Sequence, residues 1–379
     1  MGTGITALTI ASRLLSATPP LAIQLTLIDK AAQPGGRLTS RTYDSGVVLE
    51  TGARVFETPR GSEGEGAFGK EVERWRNEGW VREVESSKRK GLMGEGRWWE
   101  GVGGITKGLV AGLLAEVKAA ADGRLQLHYG IEVSSLSQSR CPFAHSFSSV
   151  QATNPTPVAL SSPLQLSLKT PLPNLPPISL LVHTAPSPQV SVLLPTFHPS
   201  PTPYIKTFAL LLPTLSVPNL PVYHRDPHPL LTSIATGLPS PSSSQTDSAG
   251  LVIQSTPEKL GLGYTKDEAS DEVVRAAFFA ILSEARLLPT EILERGAKLA
   301  GRDSQVKRWK FAQVERAIDW PPAVRGVEEE VVVMEGGRVI LAGDGTAGGA
   351  GGIAGAWRAG VRASDVVRSW LEKEKSARL

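Results

Sequence analysis

The stretch Gly2-Thr3-Gly4-Ile5-Thr6-Ala7 constrains this chain more than any other, because a G-x-G-x-x-A pattern suits one kind of strand-to-helix junction. The first glycine makes the turn, and the second leaves the backbone bare to an approaching pyrophosphate. The third small residue lets helix and sheet pack closely, while the first N–H groups of the helix favour the phosphate charge. Ile5, Leu8, Ser12 and Leu15 follow at helical spacing until Thr18-Pro19-Pro20 ends the run. Ile23 to Asp29 is a short apolar run closing on an acid, which predicts a buried parallel strand. Asp29 stands 25 residues after Gly4, where a carboxylate at a strand end accepts hydrogen bonds from ribose hydroxyls. A loop of this kind follows a buried strand, yet only Met1 precedes it here. The expectation is an incomplete gene model that has lost several apolar residues, leaving backbone groups unpaired along both neighbours of the lost strand.

Further glycine-rich segments carry the reading along the chain. Gly35-Gly36-Arg37 would let a backbone pass beside a flat ring system while the guanidinium meets phosphate, and Gly52-Ala53 would leave room for such a ring. Residues 338–345 read as a strand that ends at Asp344 and runs into glycines, with a helix starting at about Ile353. In a flavoprotein that acid would hold the ribityl hydroxyls, and the helix N-terminus would face the ring edge that turns negative on reduction.

Between these segments, residues 105–121 predict a helix with Ile105, Leu109, Leu113 and Val117 on its buried stripe, followed by a strand at about Leu125 to Leu136. From Cys141 to about Pro203 proline is dense, so most of this region is neither central sheet nor helix. Ile178 to Thr184 is the exception, a buried strand, and residues 239–250 read as a loop. Residues 251–256 predict a strand and Asp267 to Leu287 a helix with acids in its first turn. The last helix is expected to bury Ile353, Trp357, Val361 and Leu371. The whole predicts an α/β fold: a Rossmann-like domain with a parallel central sheet, plus an α+β domain with a mainly antiparallel sheet. The expected division is 1–60, 100–200 and 325–379 for the nucleotide domain, with a proline-rich insertion at about 141–177. Residues 61–99 and 201–324 then form the substrate domain.

Composition removes other classes. A net charge of +3 is too small to argue for nucleic acid, and no run of about 18 apolar residues predicts a membrane span. One cysteine, Cys141, excludes an intrachain disulfide and a thiolate zinc cluster and suits a reducing compartment. His224 and His228 are separated by a proline-broken stretch, so no metal site is expected.

Taken in order, the segments resemble the FAD-dependent amine oxidase superfamily, and within it the renalase-like flavoproteins. The resemblance rests on LIDKAAQPGGRL, HTAPSPQVSVLL, LVIQSTPEKL, VKRWKFAQV and LAGDGTAGGAGGIAGAWRAGVRAS. It implies FAD held by Gly2, Gly4, Ile5, Thr6, Asp29, Lys30, Gly36, Arg37, Leu38, Gly52, Ala53, Val133, Gly343, Asp344, Gly352 and Ile353. Trp98, Trp99, Trp309 and Phe311 are the candidates for the substrate wall. The chain departs from the family where residues 141–177 exceed its usual hairpin and where VGGITKGL replaces a Pro-Gly-Met-like turn.

The implied reaction passes a hydride from a small reduced substrate to flavin N5, with oxygen as acceptor and peroxide as product. A dihydronicotinamide isomer is the substrate class the resemblance suggests. Such a transfer needs no acid–base residue, because loss of hydride restores aromaticity, and no catalytic residue is assigned. Two other readings stay open: a flavin amine oxidase, and a non-catalytic remnant that holds no FAD. The expected location is the cytoplasm, with Ala377-Arg378-Leu379 as a variant peroxisomal address in the alternative.

Overall fold

Helix α1 (Ile5–Leu15) begins directly at Gly4 and is buried at every position except Arg13. A helix buried around nearly its whole circumference is covered on both sides, and its polar Thr6, Thr9 and Ser12 are buried with the rest. The computed structural model describes residues 2–58, 66–85, 89–90, 96–138, 164–172, 175–186, 189, 204–217, 220, 223–238, 249–314, 331–334, 338–346 and 352–378. The chain divides into two units: Met1–Gly36, Glu116–Thr202 and Arg316–Leu379 in the first, Arg37–Ala115 and Pro203–Glu315 in the second. Residues 37–60 and 100–115, expected from the sequence in the nucleotide domain, fall in the second unit.

In the first unit, β1 (Leu25–Asp29) pairs in parallel with β2 (Leu125–Tyr129), from Leu25 opposite Leu125 to Asp29 opposite Tyr129. The single strand expected over 125–136 is two. Gly130, at φ +72°, turns the chain, and Val133–Gln138 pairs instead with Leu164–Leu168 in an antiparallel ribbon. Leu164–Leu168 lies within the proline-dense region but contains no proline, so its ladder donors are intact. A second sheet joins β3 (Leu181–His183), β4 (Val331–Met334) and β5 (Val339–Ala342), with β5 in the middle, parallel to β3 and antiparallel to β4.

Helix α2 (Gly352–Arg378) packs with α1 and this sheet through Ile10, Leu14, Ile340, Ala342, Ala359, Ala363 and Val367. Ile353 and Trp357 are buried as expected, but Val361 and Leu371 are only half-buried. The reason is the closeness of the two helices, which selects small residues over bulky ones. A methyl group on Gly360 would fall 2.8 Å from the Thr6 carbonyl oxygen. Thr6 Oγ1 donates to the Ala356 carbonyl at 2.9 Å and Arg13 Nε to Ser364 Oγ at 2.9 Å, fixing the register.

The second unit is built on a six-stranded sheet. Its long strand, Tyr204–Ser216, lies between Gln305–Val314 and Ala249–Ser255, followed by Leu231–Thr236, Tyr223–His228 and the short Arg89–Lys90. Period-two alternation divides its faces. Phe208, Leu210 and Leu212 meet Val274, Phe278 and Ile281 of the helix Asp271–Glu284, whereas Ala209 and Leu211 meet Val47 and Leu49. That helix starts where Ser270 Oγ accepts the Val273 N–H at 3.4 Å, four residues later than the sequence suggests.

A separate sheet of Val55–Thr58, Arg97–Gly101 and Val81–Glu83 packs Phe56 against Phe68 and Trp75 of the helix Ala67–Asn77. The helix expected at 105–121 opens with a wide turn, Thr106–Val110, before Ala111–Ala121 becomes regular. Glycines permit Trp80 to lie against that turn, since a methyl on Gly108 would be 2.3 Å from its carbonyl. No helix among the described residues is long and apolar enough to cross a membrane.

Candidate functional site

The first unit assembles its glycine segments at the carboxyl ends of parallel strands. Gly2, at φ +95°, donates its N–H to the Ile28 carbonyl near the end of β1 at 2.7 Å. A methyl on Gly2 would fall 2.9 Å from Thr184 Oγ1, one residue past β3, and a methyl on Gly343 would fall 3.8 Å from the Thr184 carbonyl. The N-terminal loop and the turn after β5 therefore meet at Thr184. In an open α/β sheet this is where ligands bind.

The loop is held from beneath by Asp29. One carboxylate oxygen accepts the Thr3 N–H at 2.7 Å and the Thr3 hydroxyl at 2.6 Å, and the other accepts the Ala31 N–H at 2.9 Å. A carboxylate offers about four acceptor positions, so these three bonds do not fill it. Asp29, expected from the sequence as a ribose ligand, braces the loop here, and Thr3, fully buried, is the partner that sequence reasoning missed. Ile131 donates its N–H to the Asp29 carbonyl at 3.0 Å, and the half-buried Val133, four residues past the end of β2, opens the next strand. Lys30 is exposed beside it.

Above this brace, α1 opens on bare backbone. Gly4 supplies no capping side chain, and the first intrahelical bond runs from the Leu8 N–H to the Gly4 carbonyl at 3.0 Å. The N–H groups of Ile5, Thr6 and Ala7 are therefore without partners inside the helix. The Ile5 and Thr6 side chains are buried, so these residues can serve a ligand only through the backbone. Facing Gly4 is the Gly35-Gly36 turn, whose Gly35 N–H donates to the Thr3 carbonyl at 3.0 Å. A methyl on Gly36 would meet Gly4 Cα at 3.7 Å, so both surfaces are backbone.

At the other glycine segment, Asp344 is buried in a turn closed by Thr346. Thr346 donates its N–H to the Gly343 carbonyl at 3.1 Å, and its hydroxyl oxygen accepts the Gly343 N–H at 3.0 Å. Gly352, at φ +80°, starts α2, and Ile353 turns inward. Residues 347–351 lie outside the described residues.

The remaining candidates belong to the second unit. Gly52 does not leave an open space for a ring. A methyl there would fall 1.9 Å from the Arg37 carbonyl oxygen, and the Ala53 N–H donates to that oxygen at 3.2 Å. The missing side chain is used to seat the chain around Arg37, with Leu38 buried next to it.

The aromatic candidates separate into two groups. Trp99 is buried against the three-stranded sheet, its Nε1–H donating to Thr58 Oγ1 at 2.8 Å, and is a core residue rather than a wall. Trp98 points to the other face of its strand. Trp309 and Phe311 lie two apart on Gln305–Val314, where Phe311 meets Tyr204 edge-on at 5.3 Å and Arg37 stands 5.9 Å over Tyr204. The Lys307 ammonium sits 4.1 Å over Trp309 and donates to Thr51 Oγ1 at 3.2 Å, and burial pushes its pKa down. Sequence reasoning missed Lys307, two residues before Trp309 on the same strand, and Tyr204, which only strand pairing brings beside Phe311.

Residues 1–65 match the NAD(P)-binding Rossmann-like domain family. The Rossmann-like assignment covers the loop, α1, β1 and the double-glycine turn described above. No curated protein matches the chain in sequence. Solved structures share its fold. A candidate protoporphyrinogen oxidase of Exiguobacterium sp. 255-15 superposes with a TM-score of 0.55 at 12% identity, over 97% of each chain. An oxidoreductase of Methanosarcina mazei superposes with a TM-score of 0.55 at 11% identity, over 96% of this chain and 98% of the other. A Pyrococcus furiosus protein does so with a TM-score of 0.53 at 11% identity, over 97% and 96%. The mixed α/β fold, with its Rossmann-like region and mainly antiparallel second sheet, is thus the fold of these proteins.

Proposed function

We propose that this chain is an FAD-dependent oxidoreductase. The observation that carries the reading is the first turn of α1: three backbone donors, no capping side chain at Gly4, and a loop pinned by Asp29. Backbone N–H groups at a helix N-terminus stabilise a pyrophosphate without any side chain in the way. Two acids suit the sugar and ribityl hydroxyls of the cofactor. Asp29 keeps an acceptor position for the adenosine ribose, and Asp344 lies in the turn that meets the loop at Thr184. When bound, FAD supplies a two-electron acceptor for a hydride, and oxygen as reoxidant gives hydrogen peroxide.

Within this class we favour a substrate carrying negative charge, such as a dihydronicotinamide dinucleotide isomer, over an amine. Lys307 and Arg37 place two cations against the aromatic strip of Trp309, Phe311 and Tyr204. They repel a protonated amine and attract phosphate.

The test is the flavin absorbance of the purified full-length protein, with Gly4→Val and Asp344→Ala beside it. Stoichiometric flavin is expected in the wild type, none in Gly4→Val and a reduced content in Asp344→Ala. Full flavin in both variants would sink the assignment.

A further inference from the structure

Arg54 precedes the strand Val55–Thr58 in the second unit and is 5% exposed. Among the described residues, none of its three nitrogens finds a hydrogen-bond partner. The nearest acid is Glu100, with Oε2 at 3.8 Å from Arg54 Nη2, too long to be a hydrogen bond. The other oxygen of Glu100 is already committed, accepting from Arg82 Nε and Nη2, each at 2.8 Å. One carboxylate is therefore shared between two guanidinium groups.

The other acid nearby does not close the deficit. Glu50 accepts the Ile105 N–H at 2.9 Å through Oε1, while its Oε2 is buried without a partner among the described residues. Burial, ahead of the attraction of Arg54, pushes its carboxyl up to about 7, so its negative charge is incomplete at neutral pH. Trp98 lies on the same face of its strand as Glu100 and buries an indole N–H that has no partner among the described residues. The Tyr223 phenol also lies within electrostatic reach of Arg54.

A buried guanidinium normally completes its five N–H bonds, because a charged donor left unmade costs more than a neutral one. Here donors outnumber acceptors, and positive charge exceeds firmly held negative charge. We propose that Arg54 anchors a subsite for an oxyanion, a carboxylate or a phosphate, on a small ligand of the second unit. The planar fork of the guanidinium suits two oxygens at once, which a lysine in its place would not. That the site takes an anion stands by itself; that the anion belongs to the substrate rests on the flavin reading.

The experiment titrates the full-length protein with sodium benzoate and, separately, with inorganic phosphate, at constant ionic strength, by calorimetry. Saturable one-site binding of at least one probe is expected, and which one binds distinguishes a carboxylate from a phosphate ligand. Arg54→Met and Arg54→Lys should each weaken it by about thirtyfold or more. Arg302→Met, which removes an exposed cation, should leave it unchanged. If Arg54→Met does not fold, Arg54→Lys carries the comparison, because it keeps the charge and loses only the fork. Absence of binding to the wild type, or wild-type affinity in Arg54→Lys, would overturn the proposal. Flavin absorbance read on the same samples separates the two ideas: anion binding without flavin removes only the cofactor assignment.

Discussion

Glu50→Gln is expected to stabilise the protein above neutrality and to change it little in acid. Glu50 is 2% exposed and, among the described residues, accepts one hydrogen bond, from the Ile105 N–H. Burial raises its carboxyl from 4.5 to about 7; Arg54 and the Ile105 N–H offset part of that effect, and Glu100 adds slightly to it. The folded state therefore holds a proton that the unfolded chain has released between those two values. Stability falls as pH rises through that window and levels off above about 7. A tenfold change in proton affinity corresponds to about 1.4 kcal/mol, so the full effect is about 3 kcal/mol. Glutamine keeps the shape and the acceptor for Ile105 and never ionises. Urea unfolding of both proteins should show the variant more stable by about 3 kcal/mol at about pH 8, and by less than about 1 kcal/mol at about pH 5. Taking the difference between the two proteins cancels every other titrating group. A difference that stays constant with pH, or a variant weaker at the higher value, would refute the assignment of a buried, reluctantly ionised Glu50.

Gly52→Ala would drive a methyl into the Arg37 carbonyl, 1.9 Å away; a loss of about 3 kcal/mol in urea unfolding is expected, and a neutral outcome would show that this backbone contact yields easily. Trp99→Phe, which loses the bond to Thr58, should cost about 1 kcal/mol of stability and leave KM unchanged. Trp309→Ala should raise KM with little loss of stability, and the reverse pattern would exchange their roles. Under anaerobic conditions dihydronicotinamide isomers should bleach the flavin, and air should restore it with release of peroxide. Bleaching by simple amines alone would transfer the reading to amine oxidation.

Features legible in the sequence were those whose causes lie within a few residues. The period of Ile5, Leu8, Ser12 and Leu15 specifies α1, the apolar run specifies β1, and Gly4 leaves the helix start without a capping side chain. These signals also placed Asp29 at a strand end and Asp344 in a glycine turn. What each side chain does there was decided by distant partners. Asp29 meets Thr3 across 26 positions, and the space beside Gly52 is taken by the carbonyl of Arg37. Trp99 and Trp309 look alike in the sequence; strand pairing buries one against Thr58 and lays the other beneath Lys307. Nothing in VVLETGARVF marks Glu50 or Arg54 for burial, yet the fold withdraws both from water. Local pattern sets backbone conformation through short-range sterics and capping, whereas burial and polar partners depend on pairing between residues far apart in the chain. Only the tertiary structure decides which charges lose their solvent, and with it their ordinary chemistry.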